Sequence, residues 1–227
     1  MENFADLYSD YLISSSSYAT STGMANLLSI KHDKITRELS NGDYDSKFLW
    51  KQSKVYVKEL TQSKELITLS FDDSIEEKRY TDESELHCWH FDHTFGKSVR
   101  GVNFLTALIE VGTMRLPCAV EFVKKDLWKK DPKTGKEKRK SSVSKNELFR
   151  KMLRECNGKF RFDYVLADSW YSSNENMNCC KKELNNDFIM ALKSNRKVAL
   201  SLENKQNKEY ISIETLQLGQ QTVEVWF

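Results

Sequence analysis

The stretch Leu66–Ser74, LITLSFDDS, constrains this chain more than any other. Ile67, Thr68, Leu69 and Phe71 are β-branched or aromatic neighbours, the composition of a buried strand. The apolar run then meets Asp72 and Asp73, where the strand is expected to leave its sheet. A carboxylate in that place is held by a rigid element and still faces solvent, which suits a ligand to a divalent cation. The pattern returns at Phe162–Asp168, FDYVLAD, where a short apolar run again ends on an acid. Two such aspartates in one α/β domain are compatible with a shared Mg²⁺ site. They are equally compatible with two turn or N-cap aspartates, which are common at strand ends.

The 227 residues suffice for one large domain, or for a small domain beside a larger one. With 39% hydrophobic and 30% charged residues, the composition is neither disordered nor membrane-spanning. No apolar run approaches the roughly 20 residues of a membrane helix, and the acidic start MENFADLYSDYL is not a secretory signal. The net charge of +2 is too small to argue for nucleic acid by itself. Its distribution says more: Lys124–Lys140 holds nine basic against three acidic residues. That segment is either a phosphate-contacting element or a solvated hairpin tip. Five cysteines with no C-x-x-C spacing indicate neither a zinc ribbon nor a disulfide framework.

Taken in order, residues 1–62 read as a helical region. Phe4, Leu7, Tyr8, Tyr11 and Leu12 fall at helical spacing. Thr20 or Ser21 can cap a second helix through Leu28. Asp33 is the expected cap of a third, Lys34–Leu39, which Asn41-Gly42 stops. A longer helix is predicted over Tyr44–Leu60. Two short helices across a tight break fit a helix-turn-helix with Lys34, Thr36, Arg37 and Ser40 on the groove side. A plain helical bundle fits nearly as well.

Residues 63–200 read as an α/β core. After the Leu66 strand, Phe104–Val111 and Leu116–Val123 form a hairpin about Gly112-Thr113, with Pro117 near the start of the return. Ser144 and Glu147 make a capping box for a helix that ends near Asn157-Gly158. The strand ending on Asp168 follows, then a helix over Asn174–Leu184 and a strand over Asp187–Lys193. An antiparallel meander followed by helical crossovers is the ribonuclease H order, a mixed sheet with flanking helices. In that order the first and fourth strands are neighbours, so Asp72 and Asp168 are predicted to meet. From Tyr210 onward the residues alternate like a terminal hairpin.

At the level of motifs the chain resembles bacterial insertion-sequence transposases of the DDE type. The resemblance is carried by FDDS at Phe71–Ser74, HFDHTFGKSVRGVNFLTAL at His90–Leu108, VLADSWYSS at Val165–Ser173 and IMALKSN at Ile189–Asn195. KHDKITRELS at Lys31–Ser40 is similar to that group's DNA-binding region. The resemblance implies cut-and-paste DNA transposition, with three acids holding two Mg²⁺ ions for attack on a phosphodiester. It implies Asp72 as the first acid, with Asp73 as the fallback, and Asp168 as the second. It also implies double-stranded DNA of element ends as partner, room for a homodimer, and a bacterial cytoplasmic, nucleoid-associated protein. Lys34, Thr36, Arg37, Lys136, Lys138, Arg139, Lys193 and Arg196 are the candidate DNA contacts.

The family's third acid, a Glu in a tyrosine–arginine–glutamate–lysine pattern, has no match. Glu203, Glu209, Glu214 and Glu224 lie in a lysine-rich loop or in alternating strand patterns. The resemblance implies that residues 201–227 open the β-rich insertion that precedes the family's late helix, so the expectation is a C-terminally truncated transposase whose site is one ligand short. The alternative is a remnant that binds element ends without cutting, or an inhibitor of an intact transposase.

Other chemistry finds less support. Gly96-Lys97-Ser98 lacks the earlier glycine of a phosphate loop, with Phe91 in its place. His87, His90 and His93 alternate faces if extended, and no cysteine pair completes a zinc site. Trp170 and Tyr171 either stack on a base or pack. Trp50, Trp89 and Trp128 read as packing.

Overall fold

The computed structural model describes residues 4–16, 18–78, 80–132, 134–216 and 222–226. It divides into two compact units, 1–44 and 45–227.

The first unit contains α1 (Phe4–Ser14), α2 (Ser21–Leu27) and α3 (His32–Asn41). Phe4, Met24, Ala25 and Ile35 form its buried centre, with Leu7, Tyr8, Tyr11 and Leu39 packed around them. Thr20 caps α2, its hydroxyl accepting the Gly23 N–H at 2.9 Å. The third helix begins earlier than expected. Its N-cap is Lys31, which makes no side-chain cap bond, and Asp33 lies inside the first turn beside His32 at 2.9 Å. A carboxylate there still meets the positive end of the helix dipole, so it serves without capping.

The second unit opens with α4 (Ser46–Leu60), capped by Asp45, whose carboxylate accepts the N–H groups of Lys47 and Phe48. This helix packs on the sheet unit through Val57 and Trp50, the latter stacking on Phe160 at 5.8 Å. Sequence grouped it with the helices before it, because its apolar stripe does not say which partner it covers.

The sheet is built from β1 (Ile67–Glu77), β2 (His87–Asp92), β3 (Lys97–Val111) and β4 (Met114–Phe122). After a separate hairpin, β5 (Leu127–Lys130) with β6 (Glu137–Lys140), come α5 (Lys145–Asn157), β7 (Tyr164–Ala167), α6 (Asn174–Asn178) and β8 (Asp187–Met190). The strand order is β2-β3-β1-β7-β8, and β4 also pairs with β3. The β1, β2, β3 and β4 pairings are antiparallel, whereas β7 runs parallel to both β1 and β8. This is a ribonuclease H-like mixed sheet with flanking helices, as the element order predicts.

Three details differ from the sequence reading. The strand β2 and the first half of β3 form a hairpin closed by residues 93–96, with Gly96 at φ +62°. Their mixed polar and aromatic composition hides a strand pair. The β3–β4 register slips by one residue: Ala107 faces Ala119 and Leu108 faces Pro117, so Cys118 is the extra residue of a bulge. A proline with no N–H fits beside such a break. Finally, the helix after Asp168 ends at Asn178 and continues as a π-turn over Cys179–Glu183 that buries both cysteines.

Beyond β8, β9 (Lys197–Val198) pairs with β10 (Ile211–Ser212) across α7 (Leu202–Gln206). The expected terminal hairpin lies partly outside the described residues, although Ala199 bridges Trp226. No described helix is long and apolar enough to cross a membrane.

Candidate active-site cleft

The first strand does not end at its aspartates. β1 continues through Asp72 and Asp73 to Glu77, fully paired with β3 on one side. On its other side the parallel pairing with β7 stops at Phe71 opposite Ala167. The next residues are Asp72 and Asp168, which therefore stand adjacent where β7 turns away. A gap opens on one flank of a strand that remains anchored on the other. This is the physical origin of the cleft, about 630 Å³ in volume, lined by Asp72, Asp73, Asp168, Lys145, His93 and Trp170 among others.

The pleat gives the two neighbouring acids different surroundings. Asp73 continues the face of Ile67, Leu69 and Phe71, which is buried against α5, with Phe71 and Phe149 at 4.6 Å between ring centroids. There it meets three donors. Lys145 makes an ion pair with Oδ2, Asn103 Nδ2 donates to the same oxygen at 3.2 Å, and the Tyr171 hydroxyl donates to Oδ1 at 3.0 Å. Burial acts to raise the Asp73 pKa, but these donors, Lys145 foremost, hold it below the ordinary carboxylate value. The Tyr171 hydroxyl is pushed up by burial and by the Asp73 charge, so it stays a protonated donor.

Asp72 faces the other way and is exposed. Burial raises its pKa; the Asp73 N–H bond opposes this, and the charges of Asp73 and Asp168 add to the rise. The described contacts take one oxygen of each cleft acid: Asp72 Oδ1 accepts from the Asp73 N–H, and Asp168 Oδ1 accepts from the Trp170 N–H at 3.0 Å. Two adjacent carboxylates with unfavourable mutual charge, each with one oxygen outside these described contacts, suit a hard divalent cation. Asp73, with both oxygens engaged, suits one less. Among the described residues no group of three His, Cys, Asp or Glu side chains is placed to hold a metal.

The helix that supplies Lys145 is fixed by the expected capping box. Ser144 Oγ accepts the Glu147 N–H, and the Glu147 carboxylate accepts the Ser144 N–H at 2.7 Å. The box sets the start of α5, and Lys145 is its first residue. Sequence reading found the box but did not connect it to the site.

The remaining candidates scatter. Lys34, Thr36 and Arg37 are exposed on α3 in the first unit. Lys136 is exposed beside the β5–β6 hairpin. Lys138 pairs with Asp131 at 2.7 Å, and Arg139 pairs with Glu83 at 2.9 Å while lying over the Trp128 ring at 4.5 Å. Lys193 reaches the cleft rim, 4.7 Å from the Trp170 ring centroid. Arg196 instead donates to the Ser172 carbonyl. His87 is occupied by the carbonyls of Asp82 and Lys78, and His90 lies against Cys88, so the three histidines do not converge. All five cysteines are buried free thiols. Glu203, Glu209, Glu214 and Glu224 do not line the cleft.

A family model described as DDE superfamily endonuclease matches residues 2–209. The chain belongs to the DDE superfamily endonucleases. No curated protein matches it. Among solved structures, the chain is similar to the Drosophila P element transposase strand transfer complex, with 11% identity over 94% of this chain and 48% of that one, at a TM-score of 0.32. It is also similar to the Mos1 strand transfer complex, with 11% identity over 83% of this chain and 57% of that one, at a TM-score of 0.27. The chain thus spans about half the length of those transposase chains.

Proposed function

We propose that this DDE superfamily endonuclease acts in DNA transposition, as the DNA-binding region and ribonuclease H-like core of a bacterial insertion-sequence transposase. The observation that carries the reading is the adjacency of Asp72 and Asp168 at the point where β7 leaves β1. In this proposal the two carboxylates hold Mg²⁺ and Asp73 positions the strand. A bound Mg²⁺ would supply an activated water and charge neutralisation at a phosphodiester. The chain's own residues do the rest. Asp73, clamped by Lys145, Asn103 and Tyr171, holds β1 in place, and Lys145 and Lys193 bring positive charge to the cleft. Double-stranded DNA of the element ends is the partner, met by Lys34, Thr36 and Arg37 on α3 and by the basic hairpin. A homodimer and a nucleoid location belong to the same proposal.

A second reading is a chain that binds DNA without cutting, as a remnant or inhibitor of an intact transposase. The absence of a three-acid group among the described residues favours it. Nicking of supercoiled plasmid by the purified chain in Mg²⁺ separates the two. Nicking that disappears in both Asp72→Asn and Asp168→Asn supports the enzyme. Plasmid binding without nicking supports the binder. Nicking that survives either substitution removes that residue from the site.

A further inference from the structure

Outside the carboxylate pair, the outward face of β2 carries large exposed rings. Sequence reading assigned Trp89 and Trp128 to packing, yet they are 55% and 56% exposed. Phe91, two residues along the same strand, is 53% exposed, and Trp170 is 43% exposed. Large rings in water carry a free-energy cost, and a soluble protein that groups them usually has a use for the surface.

Their grouping is specific. Trp89 and Phe91 share one face of β2, because side chains alternate along a strand. Both line a groove whose opposite wall is the β5–β6 hairpin, with Trp128, Arg139 and Lys138. Phe91 also lines the carboxylate cleft, so it is common to both. Inside the cleft the series continues: His93 lies 4.9 Å from Phe91 and 5.3 Å from Trp170 between ring centroids. The rings and cations interleave. Arg139 sits over Trp128 at 4.5 Å and Lys193 over Trp170 at 4.7 Å. The result is a path of rings and cations lining two spaces that share Phe91, from the acids at Asp72 and Asp168 out to the hairpin.

We propose that this path binds single-stranded DNA, its bases stacking on Trp128, Trp89, Phe91 and Trp170 as the strand leads to or from the carboxylate cleft. A double helix hides its ring faces in its own stack, so exposed aromatics offer it little. An unpaired strand exposes a ring at every nucleotide. Charge alone does not explain the groove. Glu83 and Glu137 share it with Lys125, Lys138 and Arg139, and Arg139 and Lys138 already hold Glu83 and Asp131. Stacking, with the cations as support, is what the composition favours. The inference deepens the reading of the chain as a DNA endonuclease by naming the form of DNA this face takes.

The test compares the full chain's affinity for an oligothymidine of about 12 nucleotides with that for an abasic deoxyribose-phosphate strand of equal length. The oligothymidine is expected to bind at least about 10-fold more tightly and to quench tryptophan fluorescence. Trp89→Ala and Trp128→Ala are each expected to weaken oligothymidine binding by roughly 5- to 100-fold and to leave abasic binding unchanged. Trp89→Phe and Trp128→Phe, which keep a ring, are expected to restore much of the loss. Equal affinity for the two strands, or alanine variants that bind oligothymidine like the parent chain, overturns the proposal. Plasmid nicking in Mg²⁺ is scored in parallel. Oligothymidine binding without nicking leaves this inference standing and counts against the endonuclease reading alone; nicking without ring-dependent binding does the reverse.

Discussion

Tyr171 donates its phenolic hydroxyl to Asp73 Oδ1 across 3.0 Å, joining residues 98 positions apart in the chain. With Lys145 and Asn103 on the other oxygen, this turns Asp73 into the knot that ties β1, β3, α5 and the segment after β7 together. Among the described residues Asn103 Oδ1 has no hydrogen-bond partner, while its amide donates to Asp73. Asp73→Ala strands an ammonium, a hydroxyl and an amide in a partly buried place. The expected loss is about 2–4 kcal/mol of unfolding free energy. Asp72→Ala removes a carboxylate that its neighbours repel, and is expected to change stability by less than about 1 kcal/mol in either direction. Urea denaturation of the two variants checks the pair. Equal losses would show that the two aspartates are not divided between structure and chemistry.

The cap of α5 is the second lever on the same knot. Ser144→Ala removes one side of the capping box and is expected to cost about 1 kcal/mol. Because Lys145 is the first residue of the helix, fraying there also loosens its hold on Asp73. Combined with Asp73→Ala, the Ser144→Ala change should cost less than it does alone, since part of its effect runs through the Lys145–Asp73 pair. A double-mutant cycle in urea measures this coupling, and strict additivity would make the cap a local matter.

His90 predicts a pH dependence. It is buried on β2, and burial first, then the charges of Lys125 and Lys145, bring its pKa from 6.5 down to about 4, with Asp73 acting against them. His87 and Cys88 are its other titratable neighbours. The folded protein therefore keeps this imidazole neutral at pH values where the unfolded chain protonates it. Stability from this group is full above pH 6.5 and is lost as pH falls toward 4, by up to about 3 kcal/mol. His90→Gln should flatten the pH 4–6.5 limb of a stability profile. A limb of unchanged slope would assign the loss to other groups.

The sequence exposed the frame of this molecule and little of its support. The apolar runs at Ile67–Phe71 and Tyr164–Ala167, together with the crossover order, were enough to put Asp72 beside Asp168. Alternation along one strand carries that information locally. What the chain could not show was which acid is clamped by donors and which is exposed, because β1 continues to Glu77 past the point where the sequence ends it. Its pairing with β3 past the aspartates depends on residues 101–106, remote in sequence, and the strand read from Phe104 onward covers only the last three of them. The same holds for Lys145, Asn103 and Tyr171, whose convergence is a tertiary fact with no local signal. Trp89 and Trp128 were misread because a tryptophan's apolar surface predicts burial unless the strand's face is known.

The basic segment yields the last prediction. As β5–β6 it projects Lys136, Lys138 and Lys140 beside the aromatic groove, with Arg139 held against Trp128 and Glu83. Cations that meet phosphate release condensed counterions, so each contact contributes about 0.9 to the slope of log affinity against log salt for duplex DNA. Lys136→Glu combined with Lys138→Glu should lower duplex affinity and reduce that slope by about 2. Lys34→Glu with Arg37→Glu on α3 should do the same if the first unit grips the duplex, and the two pairs of changes should add if they touch separate phosphates. Lys138 has a competing partner in Asp131 at 2.7 Å, so Asp131→Asn should strengthen binding at low salt. Duplex titrations by fluorescence anisotropy across a salt series measure all of these. A slope that does not move on reversing the hairpin lysines would make the hairpin plain solvated surface, leaving its aromatic side as the face that meets DNA.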